Sequence, residues 1–212
     1  MPIFIRDGKS VLFIHIPKTG GSTIETMFRE AGWERHLYEA ADPKDINLVN
    51  HYLSVPPQHM HRELLTSLVR LERLDAIFTV VRHPFARLKS EYHWQSRYFK
   101  GSIVQPEPDQ WWRESLEVLK NSGPESFQNH LRHQVDFLLE GAHVYRYEDG
   151  LERVAADFNL LVRLGGLWEK PMPRKNQSQA GSSELSFSAE SIRDIENFYS
   201  ADYSTFGYSK TD

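Results

Sequence analysis

Val11 to Ile16 reads Val-Leu-Phe-Ile-His-Ile, an apolar, largely β-branched run with no alternation of polar positions. Such a run predicts a strand buried on both faces. It enters Pro17-Lys18-Thr19-Gly20-Gly21-Ser22-Thr23, after which the spacing changes to that of a helix over Ser22 to Ala31. Ile24, Met27 and Phe28 form its inner face, Ser22 is the expected N-cap and Gly32 the stop. Ala76 to Val81 (Ala-Ile-Phe-Thr-Val-Val) is the strongest strand signal and ends abruptly at Arg82-His83-Pro84. A helix is predicted from Phe85 to Tyr98, with Pro84 suited to its first turn.

Ile46 to Val49 and Ala142 to Tyr147 complete the predicted strands. Leu64, Leu65, Leu68 and Leu71 at helical spacing predict a helix over Met60 to Leu74. Further helices are expected over Trp111 to Leu119, Leu151 to Leu164 and Ala189 to Tyr199. Another is expected over Glu125 to Leu139, opened by the capping-box spacing of Ser122 and Glu125. Lys100 to Asp109 and Pro171 to Ser186 read as loops. Strands alternating with helices predict an α/β fold of three layers, a central, mainly parallel sheet flanked by helices. At 212 residues the chain is expected to be a single domain over 1–212.

In such folds ligands sit outside the carboxyl ends of the strands. That rule draws Lys18 to Thr23, His51, Arg82, Arg146 and Glu148 toward one crevice, although they are far apart in sequence. Composition narrows the ligand. The formal net charge of −4 leaves no basic excess for a nucleic-acid backbone, so a basic site must be local. There is no cysteine, which removes disulfides, thiolate catalysis and cysteine-based zinc sites. No apolar run approaches the ~18 residues of a membrane span, and no signal-peptide layout opens the chain. A cytoplasmic protein without a membrane span is the expectation.

A glycine-rich turn between strand and helix exposes backbone N–H groups, and Lys18, Thr19, Ser22 and Thr23 around Gly20 and Gly21 can all contact an anion. The glycines alone would be weak evidence, because short glycine-rich turns are common. Lys18 precedes both glycines, whereas the lysine of a Walker P-loop follows the second. Where a Walker-type strand often ends in a metal-binding carboxylate, this one ends in Arg82, a planar cationic fork suited to a terminal phosphate. Ser90 lies two turns into the following helix, on the same side. Arg87, Lys89 and Glu91 read as a solvated helix face, and Trp111-Trp112 as core. His15 and His83 read as structural support.

Lys-Thr-Gly-Gly-Ser-Thr after an apolar strand, followed about sixty residues later by Arg-His-Pro-Phe-x-Arg-x-x-Ser-x-Tyr, resembles the sulfotransferases that use 3′-phosphoadenosine 5′-phosphosulfate (PAPS). The resemblance is to the carbohydrate branch, the heparan and dermatan 2-O-sulfotransferases and their soluble bacterial relatives. It extends to Tyr145-Arg146-Tyr147-Glu148-Asp149, to Pro173 to Ser178, and to a C-terminal Tyr199-x-x-Asp202-Tyr203-x-x-Phe206-Gly207-Tyr208. It implies a P-loop-like fold and PAPS as co-substrate without a metal. Lys18, Thr19, Gly20, Gly21, Ser22 and Thr23 would hold the 5′-phosphosulfate, and Arg82 and Ser90 the 3′-phosphate. The acceptor it implies is a hydroxyl, on a saccharide.

Sulfuryl transfer needs a base, and His51 is the choice: it follows a candidate strand at the crevice and has the right intrinsic pKa range. The family often has a Gly-His pair here, whereas Asn50 precedes His51. With ten histidines in the chain, a structural role weighs about evenly. Arg174, Lys175 and Asn176 form a small basic group in the late loop. Such a group is more often just solvated; otherwise it would close over the nucleotide, with Lys175 the cofactor contact, or hold an anionic acceptor. Two rival readings stay open, a P-loop kinase of a small molecule and a nucleotide-binding module without turnover.

Overall fold

The structure is a computed structural model that describes residues 1–38, 53, 55–95, 106–161 and 185–210. Five strands form one sheet in the order β3-β1-β2-β4-β5: β1 (Ile3–Arg6), β2 (Lys9–Ile14), β3 (Glu34–His36), β4 (Ala76–Val81) and β5 (His143–Arg146). The candidate strand 46–49 lies outside the described residues. β2, β4 and β5 are parallel, with Ile14 opposite Thr79 and Val81 opposite Arg146. β1 pairs antiparallel with both β2 and β3, so the sheet is mixed rather than mainly parallel. The cause is local. Asp7 and Gly8 both have positive φ, 51° and 74°, in the two-residue turn that folds β1 back on β2. That Asp-Gly pair between apolar runs is a hairpin signal.

Seven helices accompany the sheet among the described residues: α1 (Gly21–Glu30), α2 (Arg62–Leu68), α3 (Pro84–Gln95), α4 (Pro108–Ser122), α5 (Glu152–Leu161), α6 (Ala189–Phe198) and α7 (Ser200–Phe206). Alternate residues of the central strands enter different layers. Val11, Phe13, Phe78 and Val80 pack with Ile24, Met27 and Phe28 of α1 and Val154 and Ala155 of α5. Leu12, Ile14 and Val81 pack on the other face with Leu65 of α2, Phe137 and Phe206 of α7. Burial on both faces explains the unbroken apolar runs of β2 and β4. A third cluster joins Phe85 and Leu88 of α3 to Trp111 and Trp112 of α4 and Ile195 and Tyr199 near the end of α6. The tryptophan pair is therefore core, as its place on a helix suggests.

Two predicted helices are not continuous. The helix over Met60 to Leu74 stops at Leu68, because Val69 and Arg70 are extended, and a single 3-10 turn follows at Leu71–Arg73. The segment Glu125 to Leu139 is two 3-10 turns, Ser126–Asn129 and Gln134–Phe137. Phe127, Gln128 and Asn129 adopt φ of 56°, 55° and 66°, which no helix tolerates. Buried side chains impose this path. Asn129 donates to the His59 carbonyl at 2.8 Å. Asp202 of α7 accepts from the backbone N–H groups of Gln134 and Val135 at 2.9 and 3.0 Å.

Asp202 is fully buried, so its loss strands two amides in an apolar setting. Asp202→Ala is expected to cost about 3 kcal/mol of stability, read as a lowered urea midpoint. A midpoint within experimental error of the parent would mean that the two amides find other partners.

Candidate active site

The first strand-to-helix turn is shaped by close packing beneath it. Gly20 has a φ of 92°, and a side chain there would meet Leu151 at 2.8 Å and the Tyr147 ring at 3.1 Å. At Gly21 a Cβ would lie 1.9 Å from His15 Nε2, so the first turn of α1 rests directly on the imidazole. His15 is held in turn by Glu25 of α1 through Nδ1 at 2.8 Å, and Arg35 of β3 binds the other Glu25 oxygen at 2.9 Å. Burial pushes the Glu25 carboxyl up, but the His15 hydrogen bond and the His15 and Arg35 charges outweigh it and hold it below its ordinary value.

The turn leaves its amides open. Thr23 and Ile24 donate to the Gly20 carbonyl at 3.0 and 3.3 Å, whereas the N–H groups of Thr19, Gly20, Gly21 and Ser22 have no backbone partner among the described residues. At the start of a ten-residue helix, such amides can receive an anion. Thr19 is buried and its hydroxyl donates to the Ile16 carbonyl at 2.9 Å, so its side chain closes the turn. Ser22 is not the N-cap. Gly20 occupies that position without a side-chain bond, and Ser22 sits exposed in the first turn.

Arg82 follows β4 beside this turn. Its Nη1 donates to the Lys18 carbonyl at 3.2 Å, and its guanidinium lies 4.5 Å from the centre of the Tyr147 ring. Gln134 grips the strand end twice: its Oε1 accepts from the Arg82 amide at 2.9 Å and its Nε2 donates to the Arg82 carbonyl at 2.8 Å. Burial lowers the pKa of Arg82, against the opposing pull of Tyr147, Glu148 and Tyr208, so a poorly hydrated cation faces the turn. Ser90 stands half-buried on α3. Lys18 itself has a φ of 70°, and its Nζ lies 5.1 Å from the centre of the Trp94 ring.

The helix face given to solvent by the sequence pattern is mostly buried. Arg87 is 1% exposed and donates to the carbonyls of His130 and Arg132. Glu91 is fully buried, accepting from His130 Nδ1 at 2.7 Å and Gln95 Nε2 at 2.9 Å. A single charge in a helical pattern looks the same whether it meets water or a buried partner. Arg146 and Glu148 tie down the C-terminal segment. Arg146 donates to the carbonyls of Phe206 and Gly207, while Glu148 accepts from the His83 amide and the Tyr208 hydroxyl, both at 2.8 Å. His83 also bonds the Ser209 carbonyl at 3.0 Å, a supporting role.

The turn at Lys18 to Thr23 and Arg82 are thus brought together, with Ser90 on the helix that Arg82 precedes. His51, Lys175 and the segment Pro173 to Ser178 lie outside the described residues. Gln134, Trp94 and His130 lie around these groups and were not singled out by sequence, and Glu91 was read as solvated. Their partners are distant in the chain, and only the late Asp202 signature hints at the 134–135 anchor.

The sulfotransferase family's sequence model matches residues 1–209, nearly the whole chain. The chain belongs to the sulfotransferase family. Neither a curated protein nor a solved structure matches it. Family membership makes this sulfotransferase an enzyme that transfers a sulfate group to an acceptor substrate. Among the described residues, no helix is long and apolar enough to cross a membrane.

Three histidine rings run in series from the one beneath Gly21, His15 to His59 at 5.2 Å and His59 to His130 at 4.8 Å between centroids. Burial first, then the charges of His130 and His15, hold His59 well below its ordinary value of 6.5. The unfolded chain therefore binds this proton more readily than the folded one. Stability is expected to fall as pH drops below 6.5, with a slope of up to about 1.4 kcal/mol per pH unit from this group. Urea unfolding between pH 8 and 5 checks this, and His59→Leu should flatten that limb. An unchanged slope in the variant would assign the loss to other groups.

Proposed function

We propose that this sulfotransferase moves the sulfuryl group of PAPS to an acceptor hydroxyl, on a saccharide, in a P-loop-like single domain. The observation that carries the reading is the Arg82 guanidinium bonded to the Lys18 carbonyl at 3.2 Å, which joins two cationic motifs some sixty residues apart. A donor with phosphate groups at both the 5′ and 3′ positions suits two adjacent anion sites; a nucleotide with a single phosphate chain needs only one. The open amides of Thr19 to Ser22 fit the 5′-phosphosulfate, with Lys18 and Thr23 flanking them. Arg82 and Ser90 fit the 3′-phosphate, and Lys175 closes over the nucleotide.

The donor supplies an activated sulfuryl group. The acceptor oxygen attacks sulfur in line, the new oxygen–sulfur bond forming as the bond to the 5′-phosphate oxygen breaks. His51 takes the hydroxyl proton. Lys18 and the cradle amides offset the charge that gathers on the departing phosphate oxygen, and 3′-phosphoadenosine 5′-phosphate leaves. The sulfuryl group carries less negative charge than a phosphoryl group, so these fixed cations and dipoles suffice for the electrostatic work. Holding donor and acceptor in line contributes much of the rate.

Calorimetric titration with 3′-phosphoadenosine 5′-phosphate and with ATP, each with and without Mg²⁺, tests the donor. Tight binding that needs the 3′-phosphate and ignores the metal is expected; preference for Mg-ATP would overturn the reading in favour of a kinase. Arg82→Ala should weaken the 3′-phosphorylated nucleotide by about 10- to 100-fold, as for a lost charge-assisted pair, and its 3′-hydroxyl analogue far less. Equal losses would make Arg82 purely structural. His51→Ala should abolish transfer and leave nucleotide affinity nearly intact, and retained transfer would move the base elsewhere.

A further inference from the structure

Lys18 is held at both of its ends. Arg82 binds its carbonyl at 3.2 Å, and its ammonium lies 5.1 Å from the centre of the Trp94 indole. A lysine stem in water samples many rotamers, so a second anchor at the ammonium matters for where the charge stands. We propose that Trp94 is a positioning residue for sulfate transfer, its indole keeping the Lys18 ammonium at the donor turn before the leaving phosphate acquires charge. The proposal rests on the role of Lys18 given above.

The surroundings of Trp94 are built to keep the ring still. It lies on α3 one turn beyond Glu91, whose carboxylate binds His130, and the His130 ring packs on the indole at 4.6 Å between centroids. The next residue, Gln95, links Glu91 to the indole N–H of Trp111 in α4 at 2.9 Å on each side. The ring is therefore backed by His130, and the end of α3 that carries it is tied to α4 through Gln95.

An aromatic face is a better rest for this lysine than a carboxylate. It attracts the ammonium through its quadrupole and neutralises none of its charge, so the full field remains for an anion. Glu91 is near enough for the Lys18 charge to help hold its carboxyl below its ordinary value. Burial opposes that shift, and the His130 and Gln95 hydrogen bonds favour it more strongly than Lys18 does. Both Glu91 oxygens are engaged by those two partners, and the ammonium stands over the Trp94 ring.

Two measurements on the full chain test the proposal. In protein carrying ¹³Cε-labelled lysine, the Lys18 resonance, assigned through Lys18→Arg, should lie upfield of the other lysines from the indole ring current. Trp94→Leu should return it to their envelope, and Trp94→Phe should keep part of the shift. In steady-state transfer, Trp94→Leu should lower kcat roughly tenfold with donor affinity nearly intact. Trp94→Phe should fall between the two, and it keeps an aromatic face should the leucine variant fold poorly. In a Lys18→Met background Trp94→Leu should add no further loss. An unshifted Lys18 resonance in the parent protein, or additive losses in the double variant, overturns the proposal. A shifted resonance in a protein that binds no 3′-phosphoadenosine 5′-phosphate would uphold the contact and sink the donor assignment instead.

Discussion

The parallel pairing of β2 with β4 is the constraint from which the site follows. Ile14 stands opposite Thr79, so the turn after one strand and Arg82 after the other must emerge at the same edge. Both strands are buried on both faces, so a slip of one residue would set each side chain against neighbours of the wrong size and shape in the opposite layer. The register is therefore fixed by the core and not by the site. Thr79 adds a specific tie, its hydroxyl donating to the Ile14 carbonyl at 2.9 Å. Once the core is made, the distance between the two cationic motifs is no longer adjustable.

The layer beneath the site is polar, which is costly unless every group finds a partner. Here the partners come from different elements, although His59 Nδ1 has no hydrogen-bond partner among the described residues. Glu25 of α1 joins His15 after β2 to Arg35 of β3, Gln134 clamps the end of β4, and Asp202 of α7 clamps Gln134. Removing one member leaves the next one buried and unsatisfied. Such a layer gives the site a single arrangement, and it makes stability sensitive to acid because its carboxylates are held ionised and His59 is held neutral.

How far the sequence could be read depended on whether a residue's role is local. β2, β4, the helices after them and the grouping of Lys18 to Thr23 with Arg82 follow from short runs and from the rule about strand ends, and the structure has them in place. The β1 hairpin was equally local, written in Asp7-Gly8, but the run Ile3–Arg6 is too short to stand out against the stronger β2. The segment 125–139 was not local. Its apolar spacing resembles a helix, while its path is dictated by Asp202 about seventy residues later and by His59 as far before. Arg87 and Glu91 were misplaced for the same reason, since their partners at 130–132 arrive from that non-helical segment.

The electrostatics of the site run against the sign of the whole chain. The protein carries a formal net charge of −4, yet three carboxylates among the described residues around the turn are engaged by donors. Glu25 is bound by His15 and Arg35, Glu91 by His130 and Gln95, and Glu148 by the His83 amide and Tyr208. A carboxylate committed in this way projects little field toward the crevice. The potential there is then set by Lys18, by the partly desolvated Arg82 and by the N-terminus of α1. A chain of net negative charge repels polyanions at long range, while these groups can draw a small anion at short range.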